Sequence, residues 1–169
     1  METFSYSKVN SPVGPLVFAV SDRGLTLLEF DRGTFPPKKP QGIWKESESA
    51  TRPYQRELEE YFAGERRDFS FPLDLRGTEF QLKCWRALLE IPYGETRTYA
   101  DIARAVGQPR GFRAVGLANN RNPIAIVVPC HRVIASDGTL CGYGGGLDIK
   151  QKLLELEARG SGLFAERAS

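Results

Sequence analysis

The 169-residue chain has a single histidine, His131, and only three cysteines, Cys84, Cys130 and Cys141, set far apart. No two cysteines form a CxxC pair, and one histidine cannot complete zinc-finger spacing, so no structural metal module of that kind is expected. An odd number of scattered cysteines argues against a disulfide framework and for free thiols in a reducing, cytoplasmic setting. No apolar run approaches the length of a membrane-spanning helix. Met1-Glu2-Thr3-Phe4 lacks the basic and apolar regions of a signal peptide. The glycine run after Cys141 has no GxGxxG spacing, which removes a dinucleotide site. Lysine is missing from residues 94–134, yet that segment holds six arginines (97, 104, 110, 113, 121 and 132) against Glu95 and Asp101, a net charge of +4. Residues 1–75 carry ten basic and twelve acidic side chains. Guanidinium forks pair with phosphate oxygens, so the arginine segment points to a polyanionic partner. A solvated face has the same composition.

Hydrophobic residues make up 41% and charged residues 26%, as in ordinary globular proteins that bury a core. Alternating or apolar stretches predict strands over 3–9, 16–20 and 25–30, with Ser21-Asp22-Arg23-Gly24 as a hairpin connection. Residues 31–49 read as a surface loop with a short ordered piece near Ile43-Trp44. Pro53 is expected to open an amphipathic helix ending near Ala63, and residues 69–75 look extended. Arg76-Gly77 begins a second region, which gives the expected domains 1–76 and 77–169. Thr78 caps a helix to about Leu89, whose apolar spacing makes Cys84 a core residue. Two short helices follow, 98–106 and 112–120, joined by a tight connection in a helix-turn-helix pattern. The second starts near Arg113 and carries Ala114, Gly116 and Ala118. Such a face lacks long side chains for reading base edges. It suits close backbone approach in a minor groove, or equally packing on a neighbouring helix. A last helix is expected from Asp148 to Arg159.

The stretch Pro129-Cys130-His131-Arg132-Val133 carries the chemistry. Ile124-Ala125-Ile126-Val127-Val128 reads as a buried strand that would hold Cys130 at its end. The thiolate is the reactive form of cysteine, and a neighbouring base generates it. Cys130, His131 and a carboxylate make a nucleophile, base and orienter; spacing leaves Glu157, Glu155 and Asp148 open as the third member. A cysteine hydrolase or a winged-helix protein that binds DNA without reacting uses related parts.

Arg113-Ala114-Val115-Gly116, Asn122-Pro123-Ile124, Pro129-Cys130-His131-Arg132-Val133 and Gly142-Tyr143-Gly144-Gly145-Gly146, in this order and spacing, resemble the methylated-DNA–protein-cysteine methyltransferases, or O6-alkylguanine-DNA alkyltransferases. The resemblance covers 77–158 strongly, and the N-terminal half in layout. It implies an α+β fold: an N-terminal ribonuclease-H-like α/β domain and a mainly helical C-terminal domain with a winged helix-turn-helix. It implies irreversible transfer of an alkyl group from O6 of guanine, or less readily O4 of thymine, to Cys130. His131 is then the base, Glu157 the orienter and Asn122 a brace of the site. Arg113 fills the gap left by a flipped nucleotide, and Tyr99, Ala114 and Gly116 contact DNA. Tyr143, Gly144 and Val133 line the base pocket. Some relatives carry serine at the position of Gly144, and some hold zinc in the N-terminal domain. Residues 1–75 contain no Cys or His, so no metal or other cofactor is expected. The expected partner is duplex DNA containing alkylated guanine or thymine, met by a monomer, with no membrane.

Overall fold

The computed structural model describes residues 1–35 and 42–168, with side chains through Ser161. Two compact units divide it: Met1–Arg76 together with Pro123–Ala125, and Gly77–Asn122 together with Ile126 onward.

The first unit is built on a four-stranded sheet of β1 (Thr3–Val9), β2 (Leu16–Val20), β3 (Leu25–Phe30) and β4 (Ile43–Glu46), in the order β3-β2-β1-β4. β2 runs antiparallel to both neighbours, and β4 joins β1 in parallel. All five residues of β2 are buried, so this strand is the centre of the unit's core. Helix α1 (Glu48–Phe62) adds Leu58 and Tyr61 to that core. It also buries a polar knot, in which Gln55 Nε2 donates to Ser7 Oγ and Thr51 Oγ1 at 2.7 Å each. The ordered piece near Ile43 is therefore a strand, while residues 36–41 of the expected loop lie outside the described residues. The start expected at Pro53 is corrected: α1 begins five residues earlier, where Ser47 Oγ accepts from the Ala50 N–H. Proline removes one helical hydrogen bond, and a capped first turn tolerates that loss. Residues 69–75 form only a bridge, at Leu73 with Leu25. Gly24, at φ +147°, lies so close to the Pro72 carbonyl that a Cβ there would collide with it.

In the second unit, α2 (Glu79–Leu89) starts with a Thr78–Gln81 capping box. It buries Cys84, Trp85 and Leu88. Trp85 Nε1 donates to the Ala118 carbonyl at 3.0 Å, tying α2 to α4 (Phe112–Asn120). Between them, α3 (Tyr99–Ala105) has its own Thr98–Asp101 capping box. A parallel pair, β5 (Arg97–Thr98) and β6 (Val133–Ile134), joins the start of α3 to the chain after the Cys-His stretch.

Two expectations in this unit are corrected. Ile124–Val128 is not a strand: Ile124 makes one bridge to Leu28, and residues 125–127 turn. Ile126 sits at φ 71°. The run is apolar because it is buried, and apolar character alone does not distinguish a strand from a buried turn. Cys130 therefore opens a 3-10 turn, Cys130–Arg132, instead of ending a strand. The last helix, α5 (Leu147–Ala168), does not stop at Arg159. Gly160 is a close-packing residue there, since a Cβ would run into Tyr93 Oη. Among the described residues, no helix is long and apolar enough to cross a membrane.

Candidate active site

The turn that replaces the expected strand is what positions the thiol. Asn122 Nδ2 donates to the Val128 carbonyl at 2.8 Å and to Cys130 Sγ at 3.2 Å. One amide thus closes the loop and holds the sulfur. The Cys130 N–H adds a 2.8 Å bond to Val128 O. Cys130 is 8% exposed. Burial pushes its thiol pKa up, against the Asn122 hydrogen bond and the positive charge of Lys150, which pull it down. The resting group is a thiol that must lose its proton to react.

His131 is fully buried, and its Nε2 lies 2.7 Å from Glu157 Oε2. Arg132 grips the same carboxylate from the other side, Nε to Oε1 at 2.8 Å and Nη2 to Oε2 at 3.1 Å. Its Nη1 donates to the Ile91 carbonyl at 2.7 Å. The Gly94 N–H reaches Glu157 Oε1 at 3.3 Å. Burial alone pushes Glu157 up, but the hydrogen bonds from His131 and Arg132 and the Arg132 charge outweigh it and hold its pKa at about 2. An ionised carboxylate can only accept, so Nε2 of His131 carries the hydrogen. Nδ1 then has the free lone pair, and it has no hydrogen-bond partner among the described residues. Burial, more than the Glu157 contact offsets, lowers the His131 pKa and keeps the ring neutral. A neutral imidazole with one nitrogen anchored and the other open is a proton acceptor.

Of the three carboxylates left open by spacing, Glu157 is the one in contact with His131. Tyr99 Oη donates to the Cys141 carbonyl at 3.0 Å; burial, then the Cys141 and Cys130 thiols, raise its pKa. Val133 is buried and Tyr143 half-buried. Burial and the charges of Cys130 and Glu157 raise the Tyr143 pKa. Gly144 is exposed, and a Cβ added there meets nothing within 4 Å. Arg113 and Gly116, with Tyr99, Phe112 and Ser136, line a cleft of about 490 Å³, which Cys130 does not line. Ala114 faces outward, whereas Ala118 is buried.

Sequence reasoning missed two residues. It counted Arg132 with the phosphate-facing arginines, but Arg132 is 6% exposed and serves Glu157. The correction leaves Arg110, Arg113 and Arg121 exposed and without an ion pair among the described residues, while Arg97 and Arg104 pair with Glu95 and Asp101. Lys150 is fully buried and donates to the carbonyls of Val133 and Cys141, at 2.5 and 3.0 Å. Burial lowers its pKa against the opposing pull of the Cys141 and Cys130 thiols. A lysine beside Ile149 and ahead of Leu153 on an apolar helix face was the available signal.

The chain has counterparts among known proteins. Residues 79–159 match the family model described as 6-O-methylguanine DNA methyltransferase, DNA binding domain, and residues 4–75 the ribonuclease-like domain of the same proteins. A methylated-DNA–protein-cysteine methyltransferase of Methanosarcina barkeri is 53% identical over 152 residues, covering 90% of this chain and 96% of the relative. One of Mycolicibacterium paratuberculosis is 54% identical over 156 residues, covering 92% and 93%. The crystal structure of Mycobacterium tuberculosis O6-methylguanine methyltransferase superposes with a TM-score of 0.85 at 49% identity, covering 92% of this chain and 93% of that one. That of M. tuberculosis OGT in complex with DNA gives 0.84 at 48% identity, covering 92% and 94%. With both halves matched and half of all positions identical along nine-tenths of its length, the chain belongs to the methylated-DNA–protein-cysteine methyltransferase family.

Proposed function

We propose that this chain repairs DNA by direct reversal, moving the alkyl group from O6 of guanine, and less readily from O4 of thymine, onto Cys130. The observation that carries this reading is a buried thiol held by Asn122 beside a histidine whose Nε2 is locked on an ionised Glu157. In the reaction, His131 Nδ1 takes the thiol proton, through a water where the gap requires one. Glu157 stabilises the resulting imidazolium, while the Asn122 amide and the Lys150 charge stabilise the sulfur anion. The thiolate attacks the alkyl carbon; the S–C bond forms, the C–O6 bond breaks, and the electron pair leaves with guanine, which is then protonated.

O6 lies inside the base stack, so the nucleotide must be extruded, at a cost of a few kcal/mol that is least at a damaged pair. Arg113, exposed on the first turn of α4, offsets part of that cost by filling the vacated place. Ala114 and Gly116 let the helix approach the minor groove closely, and Arg110 and Arg121 meet phosphates. Tyr99, Tyr143, Val133 and Gly144 line the route of the base to Cys130. In this reading residues 77–169 bind DNA and accept the alkyl group, residues 1–76 support them, and the monomer works in the cytoplasm. The free cysteines support that compartment.

A thioether is not reversed by any group in the site, so one molecule repairs one lesion. On duplex DNA containing O6-methylguanine, the reaction is a single burst with an amplitude equal to the protein present, and Cys130→Ser abolishes it. Continued turnover, as a hydrolase would show, or binding without a burst, contradicts the reading.

A further inference from the structure

Helix α4 is amphipathic in the expected sense on only one side. Val115, Ala118 and Asn119 face inward, while the outward face carries Phe112 and Leu117, each 52% exposed. A half-exposed ring at the first residue of a helix is an unfavourable choice for a face that meets only water. Its neighbours give the reason. Phe112 stands directly before Arg113, follows the exposed Arg110, and shares a cleft with Tyr99 and Gly116. The helix starts at Gly111 without a side-chain cap, so nothing from the cap covers this end. An apolar ring among unpaired guanidinium groups fits a partner that is both anionic and flat-faced, and a DNA duplex is both.

We propose that Phe112 is a second wedge, whose ring stacks on the base pair flanking the extruded nucleotide while Arg113 occupies the vacated position. Successive helix residues diverge by about 100°, so the two side chains enter neighbouring steps and do not compete for one gap. Apolar side chains inserted from the minor groove unstack a base step and bend the duplex, and a ring–base stack is insensitive to sequence. The wedge thus lowers the cost of extrusion without selecting the flanking base. The inference rests on the DNA-repair reading above.

The test compares wild type, Phe112→Ala, Phe112→Trp and Arg113→Ala on duplex O6-methylguanine and on free O6-benzylguanine, which needs no extrusion. Phe112→Ala is expected to slow duplex repair on the order of tenfold more than it slows the free-base reaction, and Phe112→Trp to restore it. With 2-aminopurine placed on either side of the lesion, wild type changes its fluorescence on one flank and Phe112→Ala does not. If Arg113→Ala separates the two substrates while Phe112→Ala matches wild type on both, the wedge is refuted and the repair reading stands. Equal losses of Phe112→Ala on both substrates refute the wedge as well. A wild-type protein inert toward duplex lesions removes the repair reading itself.

Discussion

At the scale of single residues, Glu157 ties together the buried polar contacts of His131 and Arg132. Each of its oxygens accepts from Arg132, and one also from His131, so the carboxylate is anchored on two sides within the interior. Replacing it by glutamine leaves the buried Arg132 without a counter-charge and lets His131 choose the wrong tautomer. Glu157→Gln is expected to cost about 3–5 kcal/mol of stability in urea unfolding. It should also slow repair by the folded protein on the order of a hundredfold. The pH dependence follows with a definite sign. Glu157 moves from 4.5 to about 2 on folding, so its stabilisation, on the order of 3 kcal/mol, is complete above about 4.5 and is lost as pH falls toward 2. His131 is depressed below 6.5, so the unfolded chain binds the extra proton and stability also falls as pH drops below 6.5. Unfolding midpoints measured from pH 3 to 8 should therefore rise with pH in wild type and flatten at the acid end in Glu157→Gln. An unchanged acid limb would show that the pair contributes nothing. Cys130 and His131 stood out in the sequence by residue type, whereas spacing left Glu157, Glu155 and Asp148 open and the contact with His131 is what separates Glu157 from the others. Arg132 was misread because composition does not separate an arginine paired inside from one facing phosphate.

At the scale of elements, the site depends on how short helices begin. Thr98 ends β5 and caps α3, so the same residue fixes the strand pair with β6 and aims Tyr99, the first residue of the helix. Thr98→Ala removes the acceptor for the Asp101 N–H and should lower stability by about 1 kcal/mol, read as a drop in Tm. The cap at Thr78 was readable in advance, whereas Thr98 was counted inside its helix, which starts one residue later at Tyr99. What was not readable is the turn at Ile124–Val128. Its β-branched residues have strand propensity, and local preference yields here to Asn122, which reaches across to Val128 and Cys130. A β-branched residue at positive φ is strained, at roughly 1–3 kcal/mol, and that strain lies four residues before Cys130. Pro53 misled because proline is a common helix start, and here it is accommodated inside a helix by an upstream cap.

At the scale of the molecule, the charge pattern and the site belong to one half of the chain. Residues 94–134 hold the net-positive arginine segment together with Cys130 and His131, whereas residues 1–75 are slightly acidic and add no thiol or imidazole. That division was visible in the sequence as a change of composition. The return of Pro123–Ala125 to the first unit was not, because it rests on backbone bonds between Leu28 and residues 123 and 125. The central claim is that the protein is consumed by its own reaction, with Cys130 as the final position of the alkyl group. Cys84 is buried in α2 and Cys141 is exposed beside the site, so the three thiols offer an internal comparison. The decisive measurement is the mass of the intact protein, and of its peptides, after reaction with duplex O6-methylguanine. A gain of one methyl substitution per molecule is expected, located on Cys130 and absent in Cys130→Ser. Methyl groups on Cys84 or Cys141, or repaired DNA with unmodified protein, would contradict it.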